Sequence, residues 1–227
     1  MSVVFCLGQV LSGCGGENTP NRLDFALPTF KFTVSSTSQQ WRTAPPGGIP
    51  NKVCAGPEAV TTDCCSSALV YPPIDCQQYP VACNPDDNYC ALVFDVEDSV
   101  DVDLATDVSE IAAVQGHVFA SVSLLSLTTT ITGIGQLPIR SANLYVAPGD
   151  SESASSPSAA LLSPISLTTG PNVVTPDSAA QQAFSNFAKD YQARFSLVLS
   201  AHFVIPGSTA PTGSVAFTVT GKARAYY

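Results

Sequence analysis

Apolar and polar residues alternate over long stretches of the chain, and the alternation predicts strands. Leu92, Phe94, Val96, Val100, Val102 and Leu104 fall on even positions, with Asp95, Glu97, Asp101 and Asp103 on odd ones. A period of two sends successive side chains to opposite faces of a sheet. This stretch therefore reads as a half-buried strand with an acidic outer face. Only Asp98 interrupts its apolar row, which predicts a bulge or bend there. Phe30, Phe32 and Val34 alternate with Lys31 and Thr33 as an earlier strand. Val118 to Ile131 is a further β stretch whose apolar phase shifts at Leu124-Leu125, so a bulge or break is expected at that point. Ala142 to Val146 reads as a strand closed by Pro148-Gly149, residues 149–160 as an exposed Ser/Ala-rich loop, and Leu161 to Leu167 as a short edge strand around Pro164. Phe195, Leu197, Leu199, Ala201, Phe203 and Ile205 alternate up to Pro206-Gly207, and Val215, Phe217 and Val219 answer beyond it. That pattern predicts a closing hairpin. Lys222 and Arg224 share one face of its tail and are expected as cross-strand partners of the acidic strand.

One segment switches to a helical period. Ala180, Ala183, Phe184, Phe187 and Tyr191 recur at helical spacing, with Thr175 as the expected cap, Pro176 in the first turn and Asp177 at the positive end. The stripe should pack on a sheet. With no βαβ rhythm and no repeat of fixed period, the fold class expected is all-β: an antiparallel β-sandwich with one packed α-helix near residues 176–191.

Residues 45–90 do not fit either period. Eight prolines lie between Pro45 and Pro85, and six cysteines crowd the same region: Cys54, Cys64, Cys65, Cys76, Cys83 and Cys90. So much proline leaves little room for a helix or central strand, and an even cysteine set reads as three disulfides in an oxidising compartment. Fifteen connectivities are open to six cysteines; excluding a strained Cys64–Cys65 bridge leaves twelve. Zinc is the weaker reading, because the cluster has no histidine and no Cys-x-x-Cys pair. Residues 45–90 are thus expected as a disulfide-rich insertion.

The first residues carry a different signal. Val3, Val4, Phe5, Leu7, Val10 and Leu11 make a short apolar run that ends in Leu11-Ser12-Gly13-Cys14. This resembles the lipobox of bacterial lipoproteins, and with the cysteine-rich stretch and β-rich remainder the chain is similar to uncharacterised bacterial cell-envelope lipoproteins. The resemblance implies that residues 1–13 are an export signal, that Cys14 is the lipid attachment site, and that residues 14–28 are a tether before a single domain over 29–227. Gly15 after the cysteine implies the outer membrane of a Gram-negative bacterium rather than inner-membrane retention. The later half also looks distantly similar in pattern to the small helix-bearing β-sandwich of plant-type desiccation proteins.

Charge narrows the partners. Charged residues are 12% of the chain and the net charge is −9, which argues against nucleic acid and against adhesion to anionic lipid. No Lys or Arg occurs from Val53 to Ile139, a stretch holding 12 of the 18 acidic residues. Its bland reading is a solvated acidic surface. No run of 18 apolar residues is present.

Chemistry is thin. His117 and His202 are the two side chains whose ordinary titration falls near neutrality, and no nucleophile elbow, Ser-x-x-Lys, His-Glu-x-x-His or phosphate loop occurs. Asp95/Glu97 and Asp101/Asp103 are paired carboxylates on an open strand face, without the cleft that glycoside hydrolysis requires. Asp101, Asp103 and Asp107, and separately Asn84-Pro85-Asp86-Asp87-Asn88, supply hard oxygen ligands for a structural calcium ion, though neither matches an EF-hand loop. The expectation is a non-enzymatic envelope lipoprotein that is held to a membrane by its lipid and presents a β-sandwich to a protein, glycan or lipid partner, with no cofactor. The rivals are a surface-assembly subunit pairing through β edges and a carboxylate- or calcium-dependent secreted hydrolase.

Overall fold

A computed structural model describes residues 21–35, 64, 81–84, 88–114, 116–133, 137–149, 153–206 and 213–227. The strands are β1 (Arg22–Ala26), β2 (Phe30–Ser35), β3 (Val81–Cys83), β4 (Cys90–Val102), β5 (Ser121–Thr132), β6 (Ile139–Pro148), β7 (Ala160–Ile165), β8 (Gly170–Val174), β9 (Phe195–Pro206) and β10 (Ser214–Tyr226). The helices are α1 (Leu104–Asp107), α2 (Ser109–Ala112) and α3 (Ser178–Ala188).

All pairings are antiparallel, in two sheets. One sheet runs β1-β10-β5-β8, with β2 also on β10; the other runs β3-β4-β9-β6-β7. β1 and β2 lie end to end along β10, so together they act as one interrupted edge strand. Setting β3 aside, the chain then alternates between sheets at every connection except the β6–β7 hairpin. This is the eight-stranded jelly-roll arrangement of two Greek keys, a specific form of the expected all-β sandwich. The two inner faces meet through Phe32, Phe195, Phe203, Phe217, Leu124, Leu144 and Leu197, all 1% exposed or less.

The interruption between β1 and β2 has a local cause. Leu27 donates its N–H to the Gly221 carbonyl at 2.9 Å, and its side chain sits over Gly221, where a Cβ would lie 2.8 Å from Leu27 Cδ1. Glycine in mid-strand thus makes room for a leucine that is 5% exposed.

Several expectations are corrected. The sheet begins at Arg22, inside the stretch expected as tether; Phe25 is buried in the alternating segment Arg22–Ala26. β9 and β10 do not form a hairpin: β9 pairs with β4 and β6, β10 with β1, β2 and β5. Strands that face each other across a core alternate just as adjacent strands do, so periodicity alone cannot separate the two cases. For the same reason Lys222 and Arg224 are not beside the acidic strand. β4 keeps an unbroken register with β9 from Ala91 to Val102, so Asp98 makes no bulge. Its carboxylate instead accepts the N–H of Thr33, 3.3 Å away on edge strand β2. The shift expected at Leu124-Leu125 is present: Leu124 pairs with Ala223 and Ser126 with Lys222, leaving Leu125 as the extra residue of a bulge.

Helix α3 packs where expected, with Ala180, Phe184 and Ala188 buried and Ala183 and Phe187 partly so. Its cap is Asp177 rather than Thr175. The helix starts at Ser178, and Asp177 Oδ1 accepts the Ala180 N–H at 2.8 Å. Val122 N–H donates to Ser185 Oγ at 3.2 Å, which fastens the helix to the start of β5.

At the edge of the second sheet Cys64 is bonded to Cys90, the first residue of β4, and Cys83 is also disulfide-bonded. Cys90 lies opposite Cys83 in the β3–β4 pair. Cys14, Cys54, Cys65 and Cys76 lie outside the described residues, as do residues 1–13 and most of the 45–90 insertion.

Candidate functional site

A groove of about 580 Å³ opens at one end of the sandwich. One wall is the segment Gly116 to Ala120 between α2 and β5, and the other is Lys189 to Gln192, just past the end of α3. A hydrogen bond between residues 75 apart in sequence joins the two walls: Gly116 donates its N–H to the Tyr191 hydroxyl at 3.1 Å. Gly116 has φ +91°, a left-handed backbone that suits glycine and turns the chain into the wall.

Phe119 and Tyr191 form the packed base of the groove. Their ring centroids are 5.0 Å apart at 43°, and both residues are buried. The rim is different. His117, Lys189, Asp190 and Gln192 are exposed, and Val118 is 85% exposed. His117 also lies against Tyr227, ring centroids 5.1 Å apart. Tyr227 in turn donates its N–H to the Asn21 carbonyl at 2.9 Å. The groove is therefore at the end of the sandwich where the chain enters β1.

His202 lies elsewhere, on the outer face of the second sheet. Its Nδ1 is 2.8 Å from Asp95 Oδ1, its register partner across β4–β9. Ser141 of β6 is the register partner on its other side. Aspartate, histidine and serine thus stand in one row across three strands. The histidine and aspartate side chains are 37% and 59% exposed, so the row is on open sheet and not in a cleft. Surface ion pairs of this kind contribute little and gain nothing from a low-dielectric surround. His117 and His202 are on different faces and form no common centre.

The carboxylates expected for calcium each have another role. Asp101 Oδ1 accepts the Ser196 hydroxyl at 2.8 Å. Asp103 is the N-cap of α1: its Oδ1 accepts the Thr106 N–H at 3.3 Å, and Arg194 Nε lies 3.3 Å from its Oδ2. Hydrogen bonding from Thr106, then from Arg194, holds the Asp103 carboxyl below the usual aspartate range. Asp107 Oδ2 accepts the backbone N–H of Asp103 at 2.8 Å, completing a reciprocal cap. No group of three or more His, Cys, Asp or Glu suited to a metal ion occurs among the described residues. In the second candidate loop, residues 85–87 lie outside the described residues.

Among the described residues, the strands that end the two sheets beyond β5 and β6 are short. β7 has six residues and β8 five, with Leu161 47% and Val173 70% exposed. No described helix is long and apolar enough to cross a membrane.

The sequence showed His117 only as an isolated histidine and Tyr191 only as part of a core stripe. The groove arises because the tyrosine's far end reaches the 116–120 segment, a contact without local signature.

No family model matches the chain, and no curated protein does. Among solved structures, a chain of turnip yellow mosaic virus is similar at 14% identity and a TM-score of 0.25, over 60% of this chain and 80% of that one. A chain of desmodium yellow mottle tymovirus is similar at 14% identity and a TM-score of 0.26, over the same shares.

Proposed function

We propose that this chain is a non-enzymatic cell-envelope lipoprotein, anchored through an acylated Cys14, whose β-sandwich works as a binding module through the groove between residues 116–120 and 189–192. The observation that carries the reading is the groove itself. It is concave, falls within the usual size of small-ligand sites, and mixes an apolar rim residue with a few polar ones. The acid–base pair Asp95–His202 stands apart from it on an open face, where substrate would not be shielded from water. That separation favours binding over catalysis.

The anchor and the groove fit one geometry. Eight steps of chain lead from Cys14 to Arg22, and an extended chain covers at most about 3.6 Å per residue, so the leash reaches at most about 29 Å. Since Asn21 touches Tyr227 and Tyr227 touches His117, the groove is at the tethered end. The partner is then a component of the envelope close to the membrane.

Intact-mass analysis of the natively produced protein tests the anchor. The expected result is loss of residues 1–13 and an acyl mass on Cys14, with the protein in the membrane fraction. A cytosolic protein that keeps Met1 and free thiols would overturn it.

A further inference from the structure

From the chemistry of the groove we infer that its ligand is a neutral saccharide; this rests on the binding-module reading above. The groove's charges cancel: Lys189 and Asp190 are adjacent, and the other polar groups at the rim are His117 and Gln192. Around it the molecule carries a net charge of −9, which repels anions. The wall formed by residues 189–192 also follows directly on the C-terminal end of α3, an 11-residue helix. That end carries partial negative charge on its last carbonyls and disfavours an anionic ligand. A phosphate, sulfate or carboxylate is thus opposed by the net charge, the helix end and Asp190 together.

The same groups call for a ligand that both donates and accepts. Asp190 accepts hydrogen bonds, its Oδ1 already taking the Gln192 N–H at 3.3 Å and its second carboxylate oxygen still able to accept, as do the carbonyls at the helix end; the side chains of Lys189 and Gln192 donate them. Tyr191 adds a buried donor. It is 5% exposed, and its hydroxyl oxygen accepts the Gly116 N–H at 3.1 Å. A phenol that accepts in this way still has its own proton to give, and Tyr191 lines the groove. Val118, 85% exposed at the rim, offers apolar surface beside these polar groups. Hydroxyls that give and take hydrogen bonds around a ring with apolar C–H faces are the signature of a sugar without charge.

The test is titration of the full chain, by calorimetry and by saturation-transfer NMR, with maltotriose, cellotriose and chitotriose as neutral probes. Trigalacturonate and inorganic phosphate serve as anionic probes, and a dodecyl maltoside below its micellar concentration as an alkyl probe. The expected result is saturable binding of at least one neutral trisaccharide, with the anions not binding. Asp190→Asn, which keeps the oxygen that accepts the Gln192 N–H at 3.3 Å, and Gln192→Ala, at an exposed position, should each weaken it about 3- to 10-fold, the value of one lost hydrogen bond. Tyr191→Phe should weaken it by a similar factor while unfolding curves show the chain still folded. Binding that all three variants leave unchanged, binding of the anions in preference, or contacts from the dodecyl chain alone would each overturn the assignment. So would no binding of any neutral probe. If the same preparation shows acyl-Cys14 by mass, such a failure removes the ligand class and leaves the anchored binding module standing.

Discussion

Arg224 holds Asp24 with two nitrogens at once: Nε is 2.6 Å from Oδ1 and Nη2 is 2.9 Å from Oδ2. The two residues are register partners across β1–β10, so the pair fixes the first strand of the sheet on its neighbour. Bidentate geometry of this kind is the strongest form that a guanidinium–carboxylate contact takes.

The pair predicts a pH dependence. Hydrogen bonding from Arg224 holds the Asp24 carboxyl below its ordinary range. A carboxyl that titrates lower when folded than when unfolded stabilises the fold fully above the unfolded value, about 4. That contribution is lost as pH falls through the folded value. Asp24→Asn should therefore lower Tm slightly at pH 7, and the difference from wild type should close as pH drops below about 4. Melting curves of both proteins from pH 7 to 2.5 check this; a gap that persists at the acid end would remove the ion pair as its cause.

The disulfide at the sheet edge predicts a larger effect. Cys64 and Cys90 are 26 residues apart, and closing a loop of that length removes about 2–4 kcal/mol of unfolded-state freedom. Cys64→Ser with Cys90→Ser should lower the unfolding free energy by about that amount, read from urea denaturation under non-reducing conditions. Because Cys90 opens β4 opposite Cys83, hydrogen exchange should rise first in β3 and the start of β4.

A pair of substitutions separates the two candidate caps of α3. Asp177→Ala removes the acceptor of the Ala180 N–H and should cost about 1 kcal/mol. Thr175→Ala should change stability by less than about 0.5 kcal/mol, as an exposed site away from any cap does. Equal losses at the two sites in urea titrations would show that the cap is shared.

These contacts mark where local pattern stops being informative. The β4, β9 and β10 strands were legible because each buries one face over a dozen residues. Their partners were not, since alternation says which face is inside and not which strand is alongside. The signal for β1 was present as Leu23 and Phe25 alternating with Arg22 and Asp24, but the polar stretch before it masked it. β8 gave none: Gly170-Pro171-Asn172 reads as a turn, and every residue of the strand remains at least partly exposed. The aspartates of the acidic strand suggested a metal because ligand chemistry is visible in sequence, whereas their actual partners, Ser196 and Arg194, come from the far end of the chain. The groove is hidden for the same reason. Gly116 and Tyr191 meet only once the sandwich has closed.

Helix α3 packs against β5, β6 and β7, with Phe184 on its buried side. Phe184 is fully buried and meets Phe195 of β9 edge to face, centroids 5.8 Å apart at 85°. Edge-to-face pairs of this kind add about 0.5–1.5 kcal/mol beyond the area they bury. Phe184→Ala should cost about 3–5 kcal/mol, measured by urea unfolding. Phe187, on the same helix and only partly buried, should cost clearly less when changed to alanine. Since the same helix delivers Tyr191 to the groove, loosening it at Phe184 should also loosen the 116–120 wall. Hydrogen exchange at the Gly116 amide should then rise in Phe184→Ala and stay low in Phe187→Ala. A Gly116 amide that stays protected while the helix frays would show that this wall holds its shape without α3.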